Sequence, residues 1–147
     1  LKFRANDDWD FLSWGNADFP SGTGLTDNGP NIPITAGIYY ITFDPETGAY
    51  NFTPASIGII GSATPGGWDS DTDLGSTGTT GELYLTLDIV DGEVKFRIND
   101  SWDFYDWGSD DFPSGTLGYK GNNIGVTAGN YTVTINVNTG AFSFSLN

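Results

Sequence analysis

The chain has 147 residues, 19 acids against 5 bases for a net charge of −14, and no Cys, Met or His. Without His and Cys the usual catalytic triads, disulfide frameworks, thiol chemistry and soft-metal sites are excluded. The acidic balance argues against nucleic acid and anionic membrane as partners, since both demand basic surface.

The chain opens on "LKFRANDDWDF", and "VKFRINDSWDF" returns at residue 94. Pairing Leu1 with Val94 and continuing to Thr23 and Thr116 gives 16 identities in 23 positions, including Lys2/Lys95, Arg4/Arg97, Asn6/Asn99, Trp9/Trp102 and Trp14/Trp107. One residue drops out, and "NIPITAGIYYITFDPETGAYNF" then runs against "NIGVTAGNYTVTINVNTGAFSF". Self-similarity at a fixed offset is the mark of tandem units. The second copy spans 57–147, about 90 residues, a sensible size for one small domain. The first copy, 1–53, has strands predicted at 38–44 and 49–53 across the "PETG" turn, but no counterpart of 57–93. A sheet lacking strands leaves backbone groups unpaired and a core face open. Residues 1–53 are therefore expected to be the C-terminal part of an incomplete β-sandwich, completed by an upstream repeat or a neighbouring chain, with residues 1–5 pairing to the supplied strand. Residues 54–56 read as a linker.

The second copy begins with a predicted strand at 57–61. "TPGGWDSDTD" follows, where Trp68 stands after two glycines with no alternation to bury it. Trp68 is either a loop anchor or an exposed platform, and the platform reading is preferred. Asp69, Asp71 and Asp73 place oxygen ligands at alternate positions, a minor calcium candidate. The EF-hand pattern fails there, because Leu74 stands where Gly is needed and Thr80 where Glu is needed. Strands are predicted at 82–90 and 93–99, joined by "VDGE" with Asp-Gly as the hairpin pivot.

In "VKFRIN", a strand sends Val94, Phe96 and Ile98 to the core and Lys95, Arg97 and Asn99 to the other face. Four of the five bases, Lys2, Arg4, Lys95 and Arg97, occupy the same two positions of the repeated phrase; the fifth is Lys120. An outward polar row of Lys95, Arg97 and Asn99 is expected, beside a loop carrying Trp102, Phe104, Tyr105 and Trp107. The bland reading pairs the bases with Asp100 or Asp103, contacts worth little when exposed. Trp107 reads as a plug; Trp102 reads equally well as plug or platform. A hairpin closes the chain, with Tyr131, Val133, Ile135 and Val137 on one face and then Phe142, Phe144 and Leu146. Short strands with regular turn signals and no helical periodicity indicate an all-β sandwich.

Flat indoles beside Arg, Lys and Asn suit a sugar, whose C–H face stacks on an aromatic ring and whose hydroxyls take fixed donors and acceptors. The phrases "ATPGGWD" and "KFRINDSWD", with the rest of 57–147 and less completely 1–53, resemble the repeated carbohydrate-binding domains of SusE/SusF-type outer-membrane proteins. The resemblance implies an immunoglobulin-like β-sandwich in tandem array on a lipid-anchored protein at the bacterial cell surface, beside a SusC/SusD-like importer. It implies non-catalytic capture of starch or another polysaccharide, with Trp68 as platform and Lys95, Arg97 and Asn99 as polar partners; the residue reading adds Trp102 to the ligand-binding candidates. No cofactor beyond the calcium candidate is expected. A carboxylate-pair glycosidase would need a sheltered cleft, which scattered loop Asp residues do not offer. The competing class is a structural repeat of an extracellular fibre or adhesin, completed by strands from a neighbouring chain. Exposure discriminates the two: a ligand site needs a solvent-facing indole near Arg97, whereas a structural module would bury both Trp68 and Trp102.

Overall fold

The computed structural model describes residues 1–26 and 29–147. It is all-β, and its contacts divide it into two compact units, Leu1–Ala55 and Ser56–Asn147.

The first unit has strands β1 (Phe3–Arg4), β2 (Ser13–Gly15), β3 (Ser21–Thr23), β4 (Leu25–Thr26), β5 (Tyr39–Phe43) and β6 (Ala49–Pro54). They form two three-stranded antiparallel sheets, β1-β2-β4 and β3-β6-β5. Aromatic rings fill the space between them. Phe3 stacks on Phe43 with centroids 4.2 Å apart, and Trp14 meets Phe43 edge-on at 5.2 Å. Ile32, Tyr50 and Phe52 are the buried centre. The Tyr50 hydroxyl donates to the Asp18 carbonyl at 2.7 Å, so its polar tip is satisfied. The outer strand β5 has Ile41 44% exposed, whereas its sequence counterpart Val133 is fully buried. Leu1 is likewise exposed where Val94 is buried.

The second unit has β7 (Ile57–Ile60), β8 (Thr72–Asp73), β9 (Gly75–Ser76), β10 (Glu82–Ile89), β11 (Gly92–Ile98), β12 (Asp106–Gly108), β13 (Ser114–Thr116), β14 (Gly118–Tyr119), β15 (Ile124–Val126), β16 (Gly129–Asn136) and β17 (Ala141–Leu146). One sheet runs β13-β17-β16-β10-β9; the other runs β14-β12-β11-β7-β8, with β15 also pairing β11. Val94, Phe96, Ile59, Val133, Ile135 and Phe144 are buried, and Phe96 of one sheet meets Phe144 of the other at 6.4 Å. That two-layer sandwich follows from alternation: each strand offers one apolar face, and the two faces can only be hidden against each other.

Three local expectations are corrected. The "VDGE" segment is not a hairpin turn, because β10 pairs β16 and β11 pairs β7, placing the two strands in different sheets. The loop after β7 takes the hydrogen bonds at this corner: the Val90 N–H donates to the Ala63 carbonyl, and the Ala63 N–H donates to the Glu93 carbonyl. Val137 does not extend the buried face, since β16 ends at Asn136 and Val137 is exposed in the turn. Leu146 is 68% exposed, because it lies at the far end of β17.

Candidate functional site

The outer face of the second sheet positions the site. Register puts Asp106 of β12, Arg97 of β11, Gly58 of β7 and Asp73 of β8 side by side across four strands. Gly58 is the clearing in this row. A Cβ there would lie 2.6 Å from the Asp71 Cβ, so only glycine lets the Asp71 side chain cross β7. Asp71 then reaches Arg97. The guanidinium Nε donates to both carboxylate oxygens at 2.8 Å, and Nη2 donates to Oδ1 as well. The two side chains are buried, 6% and 1% exposed. Multiple charge-assisted bonds of this kind fix a guanidinium plane as well as a charge.

Above that plane sits Trp102, its ring centroid 4.6 Å from the Arg97 guanidinium carbon. Trp102 also meets Trp68, with centroids 6.2 Å apart and ring planes inclined by 41°. Both indoles remain open to solvent, Trp68 at 38% and Trp102 at 42%. Their loops have local causes. Gly67 has φ +58, and a Cβ at Gly66 would strike the Ser70 carbonyl oxygen at 2.4 Å, so the Gly-Gly pair is required for the turn that presents Trp68. Asn99 and Asp100 both sit in the left-handed region, φ 53 and 54, which Asn and Asp tolerate best after glycine. That turn begins the loop bearing Trp102, and Asn6 and Asp7 repeat it in the first unit.

The structure therefore gathers Trp68, Trp102 and Arg97. The expected outward polar row is corrected: Arg97 leaves the core side as predicted, but its charge is consumed by Asp71 and its face by Trp102. Lys95 is turned to Asp106, with Nζ–Oδ1 at 2.7 Å, and Lys120 binds the other carboxylate oxygen. Burial pushes the Asp106 carboxyl up, but hydrogen bonds from Lys120 and Lys95 outweigh it and hold the group below the usual carboxylate range. Asn99 serves the backbone, its Oδ1 accepting the Ser56 N–H at 2.9 Å. Asp71, Gly58, Asp106 and Lys120 are the members that sequence reasoning missed or assigned otherwise. Among the described residues no three acids converge as a metal-binding group. Of the calcium candidates, Asp71 is committed to Arg97, while Asp69 and Asp73 are exposed.

Asp73 carries a cost that can be measured. Partial burial, then the charges of Asp100 and Asp71, push its carboxyl above the ordinary value. A raised folded value means that the stabilising contribution is complete below the unfolded value, near 3.8, and is lost as pH rises through the folded one. Asp73→Asn is expected to raise the thermal midpoint at neutral pH. The gain should vanish at about pH 3, where both states hold the proton; melts at the two pH values check it.

The first unit holds a reduced version. Arg4 lies 4.8 Å from the Trp9 ring and, among the described residues, pairs with exposed Asp7 at 3.2 Å.

Against known proteins, residues 56–143 match the family model described as SusF/SusE starch specific CBMs. No curated protein and no solved structure matches the chain.

Proposed function

The chain belongs to the SusF/SusE family of starch-specific carbohydrate-binding modules, and on that premise we propose that Trp68 and Trp102 are its glycan platform, with an α-glucan as ligand. The observation that carries the reading is the pair of adjacent, solvent-open indoles, one of them braced from behind by a buried Arg97. An aromatic face exposed to water offers the C–H face of a pyranose a large contact at little conformational cost. Two ring planes inclined by 41° suit a chain that turns between successive sugars better than a flat ribbon. Arg97 acts behind the platform, as its support. Half-exposed Lys120, held by Asp106, supplies a cationic donor on the same face, and the exposed carboxylates of Asp69, Asp100 and Asp103 offer acceptors for sugar hydroxyls.

The protein captures glycan without cleaving it, at the outer face of the bacterial envelope, where a SusC/SusD-like importer would receive the chain. The exposure of Ile41 and Leu1, beside the burial of Val133 and Val94, supports completion of the first unit by strands from outside residues 1–53. Affinity electrophoresis of the whole chain through amylopectin, mixed-linkage β-glucan, xylan and pectin tests the binding function. Retardation in the amylopectin gel is expected; a folded sample that runs unretarded in every gel would sink the proposal.

A further inference from the structure

The loop that carries Trp102 starts at Asn99, and Asn99 is bonded twice to the neighbouring chain at Ser56. The Asn99 N–H donates to the Ser56 carbonyl at 3.1 Å, and the Ser56 N–H donates to Asn99 Oδ1 at 2.9 Å. The pair extends the β7–β11 ladder by one rung beyond Ile57 and Ile98. In a regular antiparallel rung of this kind the two residues exchange both N–H bonds through their backbone carbonyls. Here Asn99 sits in the left-handed region, φ 53, and its side-chain oxygen takes the Ser56 N–H in place of its own carbonyl. The rung is closed while the backbone already departs into the loop.

Few side chains can do this. The position asks for tolerance of the left-handed region and for a short side chain with an acceptor oxygen; Asn and Asp have both, and glycine has only the first. The loop that follows is shut by its own bonds. The Ser101 N–H donates to the Ile98 carbonyl at 3.2 Å, and the Ile98 N–H donates to the Tyr105 carbonyl at 3.1 Å. The first unit repeats that closure, with the Asp8 N–H on the Ala5 carbonyl at 3.2 Å and the Ala5 N–H on the Leu12 carbonyl at 2.8 Å. It repeats the turn as well, with Asn6 at φ 55. The side chains differ in surroundings: Asn99 is half-buried against Ser56, whereas Asn6 is exposed. The rings carried by the two loops differ in the same sense, Trp102 being 42% and Trp9 61% exposed.

We propose that Asn99 is a positioning residue of the glycan platform: its bond to Ser56 fixes the start of the loop and thereby the angle at which Trp102 meets Trp68. This rests on the platform reading above. A ring already held in place does not have to be ordered when the sugar arrives, so the bond acts on affinity. Two indoles 6.2 Å apart with planes inclined by 41° couple their ultraviolet transitions, and the resulting circular-dichroism couplet reports their mutual orientation. It is assigned as the band that Trp68→Ala removes. Whole-chain wild type, Asn99→Gly and Asn99→Asp are compared by this couplet, by isothermal titration with maltoheptaose and by thermal melts. Asn99→Gly keeps the turn but not the acceptor, so it should lose most of the couplet, and its affinity should fall roughly three- to ten-fold. Asn99→Asp keeps both and should match wild type in couplet and affinity. A wild-type couplet in Asn99→Gly overturns the proposal even where the midpoint falls, because the bond then serves the fold alone. Loss of the couplet in Asn99→Asp as well, or unchanged affinity in an Asn99→Gly chain that has lost it, also overturns the proposal. So does a spectrum that Trp68→Ala leaves unaltered. A wild type that ignores maltoheptaose while its couplet responds as expected overturns the α-glucan reading of the platform and leaves Asn99 as the residue that orients Trp102.

Discussion

Trp68→Ala should abolish glycan binding while the protein melts almost where the wild type does, and the double variant Trp68→Ala/Trp102→Ala should abolish it with a fall of several degrees in the midpoint. Truncating an aromatic at the centre of a contact costs about 2 kcal/mol or more of binding, some thirty-fold, and removing both rings leaves only hydroxyl contacts. Stability responds differently because neither indole is in the core: Trp68 is 38% and Trp102 42% exposed. A buried aromatic anchor would cost about 3–5 kcal/mol on truncation. Trp102 loses in addition its contact with Arg97, worth roughly 0.5–2 kcal/mol. Affinity electrophoresis and a melting curve on the same samples separate the outcomes. A large drop in midpoint for Trp68→Ala would place that ring in the fold and not in the site.

The second large effect belongs to Asp71, and here stability should fall first. Asp71→Ala strands the Arg97 guanidinium, 6% exposed, without its carboxylate. Removing one partner of a buried pair costs about 3–5 kcal/mol, because the remaining charge is left uncompensated. The midpoint should drop by on the order of ten degrees or more in a unit of this size. The double replacement Asp71→Leu/Arg97→Met removes both charges and should recover most of the loss. It should not recover binding, since no fixed guanidinium then supports Trp102. Gly58→Ala is expected to shift both quantities the same way, because its methyl group would occupy the space of the Asp71 side chain. Thermal melts of the single and double variants, with glycan titrations of the folded ones, check each point. If Asp71→Ala melts like wild type, the buried pair contributes nothing.

The parts of this molecule that alternation controls were legible in the sequence. Val94, Phe96 and Ile98 face the core, and Lys95 and Arg97 leave by the other side, because successive residues of a strand point to opposite faces. Trp68 was legible as a platform candidate, since it sits in no alternating run, whereas Trp102 reads equally well as plug or platform until its exposure is known. What alternation cannot give is the identity of the neighbouring strand. That β7 lies beside β11, with Gly58 opposite Arg97, is a long-range pairing, and so Asp71 looked like a loop oxygen free for calcium when it is the counter-ion of Arg97. The same limit explains the "VDGE" corner: an Asp-Gly turn between two strands is a hairpin only if those strands share a sheet. Asn99 looked like a ligand for a related reason, as its turn geometry and its bond to the Ser56 backbone do not show in a strand pattern.

The burial of the Arg97–Asp71 pair has a consequence for the range of ionic strength over which the platform works. Added salt shortens the reach of exposed charges, from about 10 Å at 0.1 M to about 3 Å at 1 M, but screens buried pairs much less. The support beneath Trp102 is 6% and 1% exposed, so dissolved ions have little access to it. The corresponding brace in the first unit, Arg4 with Asp7, is 32% and 97% exposed and is open to them. Brine and dilute buffer should therefore find the Trp102 ring held in one orientation, while the Trp9 ring loses its electrostatic tether as salt rises.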